Sequence, residues 1–269
     1  MSNYGMTATL AAVLLSLSGS LAAAPITVND DYVGSDAGTY GDVVGEDDYF
    51  DISSMVVAQN GSQFDFTVNT NFAGQSGTLF NDLTLDGTGI GYGDLFLANQ
   101  WTPEQSVPTP GDNSENGYDK DDATNGTKWT WGLMLSDRYE NGGGDVTLFQ
   151  LLGTSNLDTA ILSDQLMTGG AWRYGQEVTI KDGNQELVVN YGSVGSWSLG
   201  TGQLNISADL ASSDLMDGDS LAFHWGMTCA NDVIEGEVDL KKVPEPGTIG
   251  LVSLALAGMF IMRRRSKAA

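Results

Sequence analysis

The chain has 269 residues and a formal net charge of −24, with 35 Asp and Glu against 11 Lys and Arg. Residues 25–242 hold every acid except Glu245 and every base except Arg263, Arg264, Arg265 and Lys267, so this stretch alone carries −27. Repulsion excludes nucleic acid and anionic membrane surfaces as partners of that part, and a single cysteine, Cys229, excludes an intramolecular disulfide.

In chain order, residues 1–24 read as a signal peptide. Ala8 to Leu17 is mostly apolar, and Ser20-Leu21-Ala22 and Leu21-Ala22-Ala23 offer small residues to signal peptidase. Pro25 disfavours a cut directly after Ala24, and the first residues, M-S-N-Y-G-M, lack the usual Lys or Arg. Residues 25–242 are long enough for one sizeable core in one domain. Alternation of apolar and polar side chains predicts short strands throughout. Phe64, Phe66 and Val68 share a face; so do Trp129, Trp131, Leu133 and Leu135. Val146, Leu148 and Gln150 alternate with Thr147, Phe149 and Leu151. Leu204, Ile206 and Ala208 form a later strand, followed by Phe223, Trp225 and Met227. Asn60-Gly61, Asp86-Gly87, Asp182-Gly183 and Asp217-Gly218 supply turns between such runs. The segment Leu157 to Thr168 predicts one or two helical turns. Thr102 to Thr127, with three prolines and little that is apolar, predicts a long exposed loop. The expected fold class is all-β, a single β-sandwich of jelly-roll type.

Candidate sites follow from residue chemistry. Asp42, Glu46, Asp47, Asp48 and Asp51 crowd one loop, and Ca²⁺ takes six to eight such oxygens at ~2.3–2.6 Å. Ca²⁺ is therefore the candidate ion, against the reading of a solvated acidic loop. Asp112 to Ala123 resembles an EF-hand loop in its first positions, but Ala123 stands where a bidentate Glu is needed. Gly87, Gly89, Gly91 and Gly93 alternate ahead of Asp94, which marks close backbone approach and not a phosphate cradle. Asp94, Asn231, Asp232 and Trp101 are candidate ligand contacts, Trp101 as an exposed aromatic platform for a sugar face. His224, the sole histidine, reads as either outward-facing or a satisfied core residue. With no G-x-S-x-G elbow and too few zinc ligands, no catalytic set is legible.

The tail carries the sharpest pattern. Pro244-Glu245-Pro246 precedes an uncharged apolar run, about residues 248–262, and then the basic cluster at 263–267. The run predicts a single transmembrane helix. Fifteen residues reach ~22 Å, short of the ~30 Å hydrocarbon core. Such a marginal span suits a segment held briefly and then cut; a permanent single-pass anchor is the competing reading. The arginines favour the cytoplasmic side.

In motif, spacing and position, residues 243–269 resemble the PEP-CTERM sorting signal. The resemblance implies recognition by an exosortase at the inner membrane, removal of the tail, and a Gram-negative bacterium that makes extracellular polysaccharide. The run D-V-V-G-E-D-D-Y-F-D-I at Asp42 to Ile52 resembles the opening of DOMON-like carbohydrate-binding modules, which implies a sugar-binding β-sandwich, often with a structural Ca²⁺. G-D-L-F-L, W-R-Y-G-Q-E-V, G-S-W-S-L and L-A-F-H-W-G-M-T-C-A-N-D-V together resemble a recurring ectodomain of PEP-CTERM proteins, which supplies no catalytic residues. The expected protein is secreted or surface-displayed, with a structural or adhesive role in the polysaccharide matrix. The alternatives are a Ca²⁺-assisted carbohydrate-binding module and, third, a secreted hydrolase.

Overall fold

The computed structural model describes residues 24–32, 34–35, 41–105, 118 and 120–240. The signal peptide, the EF-hand-like run through residue 117, the Pro-Glu-Pro motif and the transmembrane span at 248–262 lie outside the described residues. Among the described residues, no helix is long and apolar enough to cross a membrane.

The all-β expectation holds. Among the described residues twelve strands form: β1 (Ile26–Asn29), β2 (Ile52–Asn60), β3 (Gln63–Thr70), β4 (Leu95–Ala98), β5 (Trp131–Leu135), β6 (Gly144–Leu151), β7 (Ala160–Leu162), β8 (Glu177–Ile180), β9 (Val188–Gly200), β10 (Gln203–Asp209), β11 (Ser220–Gly226) and β12 (Val233–Asp239). Two one-turn helices accompany them, α1 (Asp47–Phe50) and α2 (Asn156–Thr159). The Gly61–Ser62 link between β2 and β3 is a two-residue hairpin, with Asn60 paired to Gln63. Gly61 sits at φ 65°, where a β-carbon is disfavoured.

The architecture departs from two separate sheets. Ten strands join in one antiparallel sheet, in the order β1-β2-β3-β10-β9-β6-β5-β4-β11-β12. The β3–β10 and β4–β11 ladders stitch the hairpins together, so the sheet is continuous where a sandwich would be split. It curls until its rims approach one another. A β-carbon on Gly236 in β12 would lie 2.9 Å from Val28 Cγ1 in β1. β7 and β8 form a small separate ladder.

The inner face of the curled sheet holds the main core. Phe64, Phe66 and Val68 of β3 are fully buried there, with Leu204, Ile206 and Ala208 of β10, and Trp131, Leu133 and Leu135 of β5. Phe223, Trp225 and Met227 join them. Trp129 does not share this face. β5 begins only at Trp131, and Trp129 packs on the opposite side with Phe96, Phe149, Leu151, Ala160, Ile180 and Ala222. That second cluster exists because β7 and β8 cover part of the outer face. β4 and β11 are therefore buried on both sides, which explains their near-continuous apolar runs.

Leu157 to Thr168 holds the expected helical turns, the end of α2 and a 3-10 turn at Ser163–Gln165, with strand β7 between them. α2 is held by reciprocal caps: Ser155 Oγ accepts from Leu157 N–H at 3.2 Å, and Asp158 Oδ2 accepts from Ser155 N–H at 3.0 Å. In Thr102 to Thr127 the described part is not all exposed, because Asp121, Ala123 and Thr127 are buried. The glycine run ahead of Asp94 does mark close approach: a β-carbon on Gly93 would lie 2.1 Å from the Gly226 carbonyl oxygen.

Candidate functional site

On the face of β11 opposite the main core, a set of ionisable side chains is sealed under the outer layer. His224 and Glu235 are a cross-strand pair of β11 and β12. Imidazole Nδ1 lies 2.8 Å from Glu235 Oε1, and Nε2 lies 2.7 Å from the Glu177 carbonyl oxygen. A carbonyl only accepts, so Nε2 carries a proton and donates it there. Burial opposes charging His224, but the Glu235 bond and the charges of Glu235 and Glu177 outweigh it and raise its pKa. The ring packs between Phe96 and Trp129, at centroid distances of 5.9 and 5.7 Å. Of the two readings of His224, the structure selects the satisfied core residue.

Glu177 is 2 % exposed, and Asn156 Nδ2 donates to its Oε1 at 2.5 Å. Burial pushes its carboxyl up to about 7, and nearby Glu235 adds to the rise. Asp121 is equally enclosed, and burial with the charges of Glu235 and Glu177 pushes it up to about 8. Tyr32, also buried, stands against Asp121 and is raised by burial and by the same carboxylates. Trp101 closes the cluster from outside. Its Nε1 donates to Glu235 Oε2 at 2.8 Å, and its ring meets Tyr118 at 5.5 Å. The residue expected as an open platform is thus half-buried and tied down by a carboxylate.

A second acidic group lies beneath the loop at residues 41–51. Asp232 is fully buried, and its two oxygens accept from the backbone of Ile52 at 2.6 Å and Val233 at 2.9 Å. Burial and then Asp42 push its carboxyl well up, while the charge of Arg173 pulls it back. Asp30 is pushed well up by burial and by Asp232, Asp42 and Asp51. Arg173, 0 % exposed, holds the loop in place: its guanidinium donates to the carbonyls of Ser35 at 2.7 Å, Gly41 at 3.1 Å, and Asp42. Asn231 pins the same loop, donating from Nδ2 to Val44 O at 2.5 Å while its own carbonyl accepts from Val44 N–H at 2.7 Å.

The predicted Ca²⁺ residues are divided by this geometry. Asp42 and Asp51 approach the inner group, whereas Glu46, Asp47 and Asp48 are exposed at the start of α1. Among the described residues, no group of three or more His, Cys, Asp or Glu side chains is placed to hold a metal ion. Asp94 stands apart from Asn231 and Asp232 in its bonding. Its Oδ1 accepts from Leu135 N–H at 2.9 Å and from Arg138 at 2.8 Å, and its Oδ2 accepts from Ile180 N–H at 2.8 Å. That is a buried, fully bonded structural carboxylate, even though burial raises its pKa. Cys229 is buried, and its thiol is pushed up to about 12 by burial, far from a reactive thiolate.

Alternation and residue chemistry do not single out Asp30, Tyr32, Arg173 or Glu177, and mark Asp121 only as part of the EF-hand-like run. One signal was available for Arg173. In a domain with so few bases, an arginine between Trp172 and Tyr174 is a natural partner for buried acid. Chemically, the whole arrangement fastens strands and loops. Both ring nitrogens of His224 are occupied, and among the described residues no hydroxyl or thiol bonds to it.

Comparison with known proteins places one element. Residues 242–265 match the family model described as the PEP-CTERM protein-sorting motif. No curated protein and no solved structure matches the chain. The likeness of Asp42 to Ile52 to DOMON-like modules gains no support from these comparisons. The chain carries a PEP-CTERM protein-sorting motif, which makes it an exosortase-processed protein, exported, held at the membrane during processing, and then delivered to the cell surface or beyond.

Proposed function

We propose that the protein is a non-catalytic component of the extracellular polysaccharide matrix of a Gram-negative bacterium, structural or adhesive in role. Signal peptidase releases its N-terminus, and exosortase removes the tail near Pro244-Glu245-Pro246. The mature domain then works among glycans. The observation that carries this reading is the sorting motif at 242–265 joined to a β-domain of charge −27. The sealed ionisable cluster supports a non-catalytic role, because His224, Glu235 and Asp94 are spent on internal bonds. High acidity keeps such a domain soluble and dispersed outside the cell.

The test separates delivery from role. Deleting Pro244 to Pro246 should leave full-length protein in the inner membrane fraction and none on the surface. Normal processing and release of that variant would refute the sorting step. A deletion strain whose matrix keeps its normal mass, cohesion and polysaccharide content would refute the matrix role.

A further inference from the structure

We infer that a trough at one end of the ten-stranded sheet, where β4 and β6 finish and β5 starts, is a binding site for an uncharged polysaccharide chain. The inference rests on the matrix reading above and gives it a contact surface. The trough runs from the end of β4 across β5 to the end of β6, with a volume of about 510 Å³. That lies within the ~300–1,000 Å³ of small-ligand sites. Asn99, Gln100, Thr102, Thr130 and Gln150 line it. All five offer amides or hydroxyls, which exchange hydrogen bonds with sugar hydroxyls in both directions.

One end of this trough has an aromatic wall. Tyr191, on β9, is 44 % exposed. Its ring meets Trp131 edge-on at 5.1 Å, and its hydroxyl donates to Gln150 Oε1 at 3.2 Å. Both contacts are with lining residues, so an exposed ring stands at the lip of a polar trough. A flat aromatic beside amide groups matches the two faces of a pyranose: apolar C–H bonds on one side, hydroxyls around the edge.

The charges at the trough select an uncharged ligand. Lys128 borders it but turns inward, its ammonium donating to Trp129 O at 2.8 Å and Asn156 Oδ1 at 3.3 Å. Asp214, at the border, accepts from Trp131 Nε1 at 2.6 Å. An anionic glycan would meet Asp214 and the field of a −27 domain, with no free cation among the described lining residues to receive it.

The experiment is affinity electrophoresis of the processed protein in native gels. The gels contain a neutral glucan, a neutral galactomannan, anionic alginate, or polysaccharide extracted from the cells' own matrix. The expected result is retardation by neutral polysaccharide and by the extract, but not by alginate. Tyr191→Ala and Gln150→Ala should each weaken that retardation about two- to tenfold. Tyr174→Ala removes an equally exposed ring outside the trough and should change nothing. Thermal melts of the variants should track the wild type, since Tyr191 is largely at the surface. Retardation by alginate alone, or variants that bind as well as wild type, would overturn the site and leave the matrix reading standing. No retardation of the wild type in any gel, the extract included, would sink both.

Discussion

The buried carboxylates make a sharp prediction about pH, and Asp121 is the residue on which to test it. In the unfolded chain an Asp releases its proton near pH 4. In the fold, burial and the charges of Glu235 and Glu177 hold that proton up to about pH 8. The sign follows directly. Below pH 4 both states are protonated, and the stability tied to this group is fully present. Between about 4 and 8 the unfolded chain has lost a proton that the native state keeps, so each pH unit favours unfolding. One unit is worth ~1.4 kcal/mol, and the window amounts to a loss on the order of 5 kcal/mol by pH 8. Glu177, held up to about 7, and His224, whose pKa is also raised, act in the same direction. The wild type should therefore be more stable at pH 5 than at pH 8. Asp121→Asn keeps the shape and one acceptor oxygen but has no proton to lose. It should match the wild type near pH 4.5 and exceed it by a few kcal/mol at pH 8. Urea unfolding followed by tryptophan fluorescence from pH 4.5 to 9 measures both curves. A wild-type midpoint that rises with pH over this range, or an Asn variant weaker than wild type at pH 8, would refute the reasoning.

Three further outcomes are expected. Arg138→Met strands the Asp94 carboxylate, which is 0 % exposed, and should cost about 3 kcal/mol in urea unfolding; adding Asp94→Asn should recover part of it. Gly126→Ala should destabilise by at least ~2 kcal/mol, because Gly126 has φ +81° and its β-carbon would fall 1.7 Å from Asp121 Oδ1. Adding millimolar Ca²⁺, or removing it with EDTA, should leave the melting temperature of the processed protein within about 1 °C, since occupancy of a real site would raise it by mass action. A larger upward shift with Ca²⁺ would restore the metal reading of Asp42 and Asp51.

The strands were legible because alternation is local. Phe64, Phe66 and Val68, or Leu204, Ile206 and Ala208, show their inner face without knowledge of any partner. The single curled sheet was not legible. It depends on the β3–β10 and β4–β11 ladders, whose strands lie more than a hundred residues apart in the chain. The buried acids failed for the same reason. Asp30, Asp121 and Glu177 look like ordinary solvated acids in a chain full of them, and only long-range packing removes them from water. Arg173 meets the Ser35 carbonyl across a separation of 138 residues. Trp101 misled because a tryptophan beside a proline-rich stretch suggests exposure, whereas its indole N–H had a buried-side partner in Glu235. Among the candidate residues, the tail motif alone was readable outright, since its meaning lies in order and spacing and needs no fold.

The meeting of β1 and β12 has a bearing on life outside the cell. An open sheet offers its outermost strands as templates, and copies crowded in a matrix join edge to edge into fibres. Here Gly236 lets β12 come within van der Waals reach of Val28, so each outermost strand is shielded by the other end of its own sheet. Beyond the reach of chaperones, such closure keeps neighbouring copies from polymerising by strand addition. A bulky side chain at Gly236 would pry that seam apart and expose both edge strands at once.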